Sequence, residues 1–301
     1  MTRPLEPGLT SVVVVTANSG ALAVECVKCV LASSSPIELI VVDNDSQDGQ
    51  IGEIGERFGG DGRLRIVRNP DNTGFGPACN RGAALARGDA LLFLNPDCLI
   101  GADAIAALRE AAASNAHAGL LGVRVVGAHG EVERANRRRD PTLRRAFNTF
   151  SGLQHFGRRW PALAGVELEA AEAGGQAEPV DAVSGACLFL PRDSFDAVGG
   201  FDEAYFLHCE DLDLCRRVRD AGRSVLYLPA VTVRHEQGSS SFRRPLFVSR
   251  HKHRGMWRYF AKFDPAARNP FLRILVLCGI WTHFALLAPV HAWRQYRRDR
   301  R

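Results

Sequence analysis

The sequence predicts an α/β protein built on a doubly wound, mostly parallel sheet. Two observations carry that expectation. Runs of β-branched and aliphatic residues alternate with segments whose apolar residues recur at helical spacing, as for strands buried on both faces and joined by crossover helices. Three polar clusters, Thr16-Ala17-Asn18, Asp43-Asn44-Asp45 and Asn95-Pro96-Asp97, each follow a strand-like run directly. In a doubly wound sheet such clusters share the carboxyl rim, where ligands bind.

The elements follow in order. Val12-Val13-Val14-Val15 is the first buried strand, and residues 19–34 read as a helix through Leu22, Val27, Val30 and Leu31. Residues 37–42 form a second strand, which ends in the polar turn Asp43 to Gly49; residues 64–67 form a third. The loop Asn69-Pro70-Asp71-Asn72-Thr73-Gly74-Phe75-Gly76 opens a helix near 77–87, and glycines before a helix N-terminus favour phosphate. Residues 90–94 are a fourth strand, and 101–113 a helix. Residues 127–179 are less regular: Arg137-Arg138-Arg139 and the Ala/Glu/Gly-rich stretch 164–178 read as surface loops or a flexible insertion. Residues 180–190 read as one strand-like segment, and 210–221 as a helix closed by Gly222. Residues 225–228 form another strand, leading to 231–235.

The chain has 301 residues, 46% hydrophobic and 24% charged, enough for a sizeable core and unlike a disordered or collagenous chain. Its eight cysteines are dispersed, and residues 1–8 lack the apolar stretch of a signal peptide, so a reducing, cytosolic setting is expected. Cys26-x-x-Cys29 has no second pair at zinc spacing and reads as buried helix cysteines.

The net charge of +5 hides a split: residues 243–301 carry 14 Lys+Arg against 2 Asp+Glu, a net +12, and the rest of the chain carries −7. That excludes a uniform nucleic-acid binder; a basic tail alone suits an anionic membrane surface, RNA or an acidic partner. Within the tail, residues 274–290 are apolar apart from His283, a run of 17 at the low edge for a membrane span. Basic residues flank it on both sides, and a single pass would carry five arginines across, against the positive-inside rule. An interfacial or re-entrant segment fits better. Packing on the protein's own core or in a homodimer interface are the alternatives. The expected division is therefore a catalytic domain over 1–242 and a basic, amphipathic helical segment over 243–301, with no nucleic-acid partner.

Several chemistries lose their support. No Gly-x-Gly-x-x-Gly follows the first strand, and no phosphate-loop motif or Gly-x-Ser-x-Gly elbow is present. Four acids and a histidine stand out instead. Asp97, after a buried strand, suits a hard cation or caps a helix. His235 follows a second strand and could serve a transition metal. Glu210-Asp211-x-Asp213 complements a helix N-terminus or supplies a general base whose neighbour perturbs its pKa.

Together these pieces resemble family 2 glycosyltransferases of the GT-A fold, and within them the bacterial rhamnosyltransferases. The resemblance rests on Val42-Asp43-Asn44-Asp45-Ser46-x-Asp48-Gly49, Asn72-x-Gly74-Phe75-Gly76-x-x-Cys79-Asn80-x-Gly82 and Gly88-Asp89-x-Leu91-Leu92-Phe93-Leu94-Asn95-Pro96-Asp97. It continues through Ser184-Gly185-Ala186-Cys187, Val198-Gly199-Gly200-Phe201-Asp202-Glu203, Glu210-Asp211-x-Asp213-Leu214-Cys215-x-Arg217, and Tyr227-x-Pro229 to His235-x-x-Gly238-x-Ser240. It covers about residues 9–242. It implies inverting transfer of a sugar, rhamnose from dTDP-rhamnose by preference, to a glycan or polyprenyl-linked acceptor of the cell envelope, at the cytoplasmic face of the plasma membrane. A donor such as a UDP-sugar, or an inactive sugar-nucleotide-binding protein, are the alternatives. Asp211 matches the catalytic base. Asp97 and His235 match the ligands of Mg²⁺ or Mn²⁺. Thr16, Asn18, Asp43, Asn72, Gly74, Asn95 and Gly185 fall at donor-binding positions, and Gly200, Phe201 and Glu210 at the sugar and acceptor pocket. Two departures weaken the pattern: Asn95 replaces the first acid of the Asp-x-Asp metal motif, and Ala17 replaces an aromatic after the first strand.

Overall fold

The computed structural model describes residues 4–134, 136–168, 173–236 and 244–299. The first half follows the predicted alternation: β1 (Glu6–Thr16), α1 (Ala21–Leu31), β2 (Ile37–Asn44), α2 (Gln50–Phe58), β3 (Leu64–Asn69), α3 (Phe75–Leu85) and β4 (Gly88–Leu94). Then come β5 (Cys98–Ile100), α4 (Ala104–Ala113), β6 (Ala118–Val126), β7 (Arg137–Arg138), α5 (Leu143–Phe150), β8 (Glu178–Pro179), β9 (Ala182–Val183) and β10 (Cys187–Pro191). The chain ends with α6 (Arg192–Ala197), α7 (Glu210–Asp220), β11 (Ser224–His235), α8 (Pro245–Phe263) and α9 (Pro270–Asp299).

The main sheet runs β3-β2-β1-β4-β10-β6-β11-β5, with β8 also pairing β11. β3, β2, β1 and β4 are mutually parallel, β10 inserts antiparallel between β4 and β6, and β6 and β11 are again parallel. Alternation along each strand sends Val12, Val14, Leu39, Val41 and Leu92 to one face, under α1, α2 and α4. It sends Val13, Val15, Ile40, Val42 and Phe93 to the other, under α3, α6, α7 and α8. Each fully buried aliphatic side chain contributes roughly 1.5–3 kcal/mol. The eight cysteines are free, and Cys26 is buried in α1 as the sequence suggests.

The structure corrects four expectations. The central strand β6 was not visible in the sequence, because Gly119 and Gly122 interrupt its apolar run; Gly122 is glycine because a Cβ there would lie 2.4 Å from Val183. Residues 180–190 are not one strand: Ser184-Gly185-Ala186 separates β9 from β10. Residues 225–228 and 231–235 are one strand, β11, whose register against β6 shifts between Leu228 and Thr232. Arg137-Arg138-Arg139 is not a surface loop, since β7 pairs with β9. Gly238 and Ser240 of the last motif lie outside the described residues, as does part of the 164–178 stretch.

α7 and α8 are tied by charge. Asp213, fully buried, pairs with Arg217 one turn on and with Lys262 of α8 at 2.6 Å. Arg217 also donates to the carbonyls of Val198 and Gly200. Arg258 and Lys262 both reach Asp202, at 2.8 and 2.7 Å. α9 differs. It is long and apolar enough to cross a membrane by length and composition, and none of its most hydrophobic window is buried. The helix is not enclosed by the core, but it packs on α8 along one face: the His253 ring lies 5.4 Å from Phe284, and Arg273 stacks over Trp257 at 5.7 Å. Removing the buried Asp213 carboxylate takes away the carboxylate partner of Arg217 and one of the two that hold Lys262, a loss worth about 1–3 kcal/mol. Asp213→Ala is thus expected to lower the urea midpoint of unfolding by a corresponding amount, measured by circular dichroism.

Candidate active site

The predicted rim is present. β1, β2 and β4 run parallel and end at Thr16, Asn44 and Leu94. Beyond β1 and β2, Asp43 Oδ1 accepts from Ser46 N at 3.0 Å and from Thr16 Oγ1 at 3.4 Å. Asn18, at φ 56°, donates its N–H to Ser46 and accepts from Gln47 N at 2.8 Å. The 43–48 turn is thus pinned from β1. Asn72 and Gly74 are engaged inside their own loop: Asn44 Nδ2 donates to Asn72 Oδ1 and to the Gly74 carbonyl, and Asn72 Oδ1 also takes the Gly74 N–H.

After β4, the backbone N–H of Asn95 donates to Ala186 O at 2.9 Å. β5 returns antiparallel to β11 and sets His235 beside Cys98. His235 Nε2 faces Asp97 Oδ1 at 3.1 Å, and Nδ1 faces Glu133 Oε1 at 2.8 Å. Burial opposes charge on the ring, but the two carboxylates outweigh it and raise its pKa to about 10. Ligand atoms of Asp97, Cys98 and His235 lie within 4.8 Å of one another. The Cys98 thiol is buried, donates to Ala186 O at 3.5 Å and is held protonated by that burial. The Asp97 carboxylate could bind a hard cation directly and the His235 ring could join it once metal binding displaces its proton, a pair that would fit Mn²⁺ or Mg²⁺ completed by phosphate oxygens.

Asp211 sits in the first turn of α7, its side chain 14% exposed. Oδ2 takes the Gly185 N–H at 3.2 Å and pairs with the Arg138 guanidinium; Oδ1 takes the Leu212 N–H at 2.8 Å. Gly185 is glycine for a reason of space: a Cβ there would lie 3.1 Å from Asp211 Cβ. The chain enters α7 through His208 and Cys209, both left-handed at φ 67° and 71°, a conformation costly for non-glycine residues. Gly255 of α8 packs against this entry, where a Cβ would sit 2.7 Å from the His208 carbonyl.

Asp211 and the Asp97 loop meet across two adjacent residues. Gly185 N–H holds Asp211, and the next residue's carbonyl, Ala186 O, holds Asn95 N. A half-buried carboxylate and a carboxylate–imidazole pair are thus linked through the β9–β10 connection. The family description "Glycosyl transferase family 2" matches residues 11–174, more than half of the chain.

The chain belongs to glycosyltransferase family 2.

This family 2 chain is 32% identical over 258 residues to the N-acetylglucosaminyl-diphospho-decaprenol L-rhamnosyltransferase of Mycobacterium tuberculosis, covering 76% of this chain and 79% of that one. Over 98 residues it is 33% identical to the rhamnosyltransferase WbbL of Escherichia coli, covering 32% and 36%. Its fold is GT-A. The mannosyltransferase PcManGT of Pyrobaculum calidifontis, solved with GDP-Man and Mn²⁺, superposes with TM-score 0.57 at 16% identity, covering 95% of this chain and 73% of that one. GalNAc-T7, solved with UDP, GalNAc and Mn²⁺, gives 0.61 at 17% over 86% of this chain, which spans half of GalNAc-T7.

Two expected roles move. Phe201 is buried among the rings of Phe75, Phe93 and Phe195, as a core side chain rather than one facing a sugar. Glu210 is also buried, with Oε2 unpartnered. Gly200, at φ 74°, sits against Asn80 Oδ1, which accepts the Phe201 N–H at 2.9 Å. Two residues were missed by the sequence reading: Arg138, hidden in an arginine run that looked solvated, and Glu133, whose only signal was an acid in an irregular stretch.

Burial first, and then the Asp211 charge, push the Glu210 carboxyl up to about 8. The folded state thus holds a proton that the unfolded chain releases at the ordinary glutamate value. The resulting stability is full below about pH 4.5 and is lost progressively as the pH rises to 8. Glu210→Gln removes that dependence. Thermal melts at a series of pH values across this window should show the variant's advantage over wild type growing with pH.

Proposed function

We propose that this glycosyltransferase moves a sugar with inversion from a nucleoside-diphosphate donor, dTDP-rhamnose by preference, to a glycan or polyprenyl-linked acceptor of the cell envelope. The observation that carries the reading is the pair of adjacent residues Gly185 and Ala186: the Gly185 N–H holds the Asp211 carboxylate and the Ala186 carbonyl holds the Asn95 N–H at the start of the Asn95-Pro96-Asp97 loop. A proton acceptor and a diphosphate-binding edge are thereby fixed next to each other. The preference for rhamnose and for a lipid-linked acceptor rests on the two rhamnosyltransferase relatives.

Asp211 takes the proton from the acceptor hydroxyl, which attacks the anomeric carbon from the face opposite the diphosphate. The carbon–oxygen bond to the diphosphate breaks in the same displacement, so no sugar–enzyme bond forms. Arg138 and the Gly185 N–H hold the carboxylate in place for that step. Asp97 and His235 hold the metal, with Glu133 orienting the imidazole from its other nitrogen. A bound Mg²⁺ or Mn²⁺ neutralises charge that grows on the leaving diphosphate. Asp43 reads the base or ribose, while Thr16, Asn18, Asn72 and Gly74 shape the loops beside it. Asn95 offers an amide to the donor. The work takes place at the cytoplasmic face of the plasma membrane, with α9 as the contact, an arrangement suited to a lipid-linked acceptor.

Two outcomes test the chemistry. Asp211→Asn keeps the shape but removes the proton acceptor. It should lower kcat by about 10²–10⁴-fold with donor affinity near wild type, measured as nucleoside diphosphate released from a panel of dTDP-, UDP- and GDP-sugars. A Glu210→Gln variant that is dead while Asp211→Asn is active would reverse the assignment. Asp97→Ala should abolish both transfer and the metal-dependent part of donor binding, read by calorimetry with and without Mn²⁺. Full wild-type activity in EDTA would overturn the metal's role.

A further inference from the structure

Between Pro141 and Val166 the chain carries four arginines and no Asp or Glu. In the same stretch Phe147 is 62% exposed, Phe150 63%, Phe156 55% and Trp160 51%. Four large aromatic side chains turned to solvent within fourteen residues are not explained by the core or by the reaction. Arg144, Arg158 and Arg159 are exposed among them, and Arg159 stacks over the Trp160 ring at 5.4 Å. Aromatic rings interleaved with arginines suit the headgroup region of an anionic bilayer, where rings are buried at the acyl boundary and guanidinium groups meet phosphate.

This patch adjoins α9. The Phe150 ring packs edge-on against His283 of α9, with centroids 5.4 Å apart, and His283 Nδ1 lies 2.9 Å from His253 Nε2 of α8. Phe271, Ile274, Leu275 and Leu286 of α9 are themselves more than half exposed. The patch is also anchored rigidly to the active site. Leu143 N donates to Asp264 Oδ2 at 2.6 Å, and Arg145 pairs with Asp181 at 3.2 Å. Just upstream, Asp140 accepts from Arg216, Arg219 and the Tyr259 hydroxyl. Arg138, which pairs with Asp211, precedes Leu143 by five residues, at most about 17 Å of extended chain.

We propose that Phe147, Phe150, Phe156 and Trp160 form a second membrane-contact element, inserting beside α9 into the interface of an anionic bilayer and seating the Asp211 edge of the enzyme at the membrane surface. This rests on the membrane-bound reading given above and adds to it: α9 alone would tether the enzyme, whereas two elements fixed to the fold also orient it.

The test uses the full chain with Trp257, Trp281 and Trp293 replaced by Phe, so that Trp160 is the reporter, and vesicles of phosphatidylglycerol and phosphatidylcholine. On binding, Trp160 emission is expected to shift to the blue and to be quenched by brominated phosphatidylcholine. In the chain with native tryptophans, Phe147→Ser with Phe156→Ser should weaken vesicle partitioning by roughly tenfold or more, with transfer to a water-soluble acceptor unchanged. If the chain sediments with vesicles while Trp160 emission and quenching do not change, the patch faces water and the proposal fails, although the membrane reading stands. If the chain does not sediment with vesicles at all, both fail. If Trp160 is already blue-shifted without lipid in a species of twice the mass, a second copy covers the patch and the proposal is overturned.

Discussion

The arrangement depends on compensating one nearly buried negative charge. Asp211 lies at the start of α7 with little water around it. An isolated carboxylate in such a place would protonate or move. Here Arg138, the Gly185 N–H and the Leu212 N–H all donate to it. Those partners come from three places: β7, the link between β9 and β10, and the helix itself. Satisfying the charge therefore fixes three segments distant in sequence. It also gives the strained His208–Cys209 entry something to be held by, with Gly255 of α8 closing over it.

The same logic governs the other acids. Asp97 is paired by His235, which is paired in turn by Glu133, so an ordered row of charges runs from β5 through the end of β11 to the loop after β6. Asp213 and Asp202 are paired from α8, which ties this helix to α7, where Asp211 sits. Several basic residues of the C-terminal segment thus serve inside the protein. Its net charge overstates what is left to face a membrane. Arg250, Lys252 and Arg254 of α8 stay exposed, and the aromatic and arginine-rich surface after β7 adds further positive charge and apolar area.

The sequence by itself determined the alternating halves of the sheet, the polar turns at its carboxyl rim and the family motifs. These are local signals: an aliphatic run buried on both faces and a turn of small polar residues. Asp43, Asp97, Asp211 and His235 were legible for that reason. The tertiary structure alone decided the partners. β6 was hidden because its glycines answer to Val183 and Val218, residues far along the chain. Arg138 read as solvated because an arginine's environment depends on what packs over it, and only the pairing of β7 with β9 turns it toward Asp211. Phe201 and Glu210 sit inside because α7 and α3 close over them, a fact of packing that spacing does not encode. Charge compensation and burial are properties of neighbours in space, and a motif specifies only neighbours in sequence.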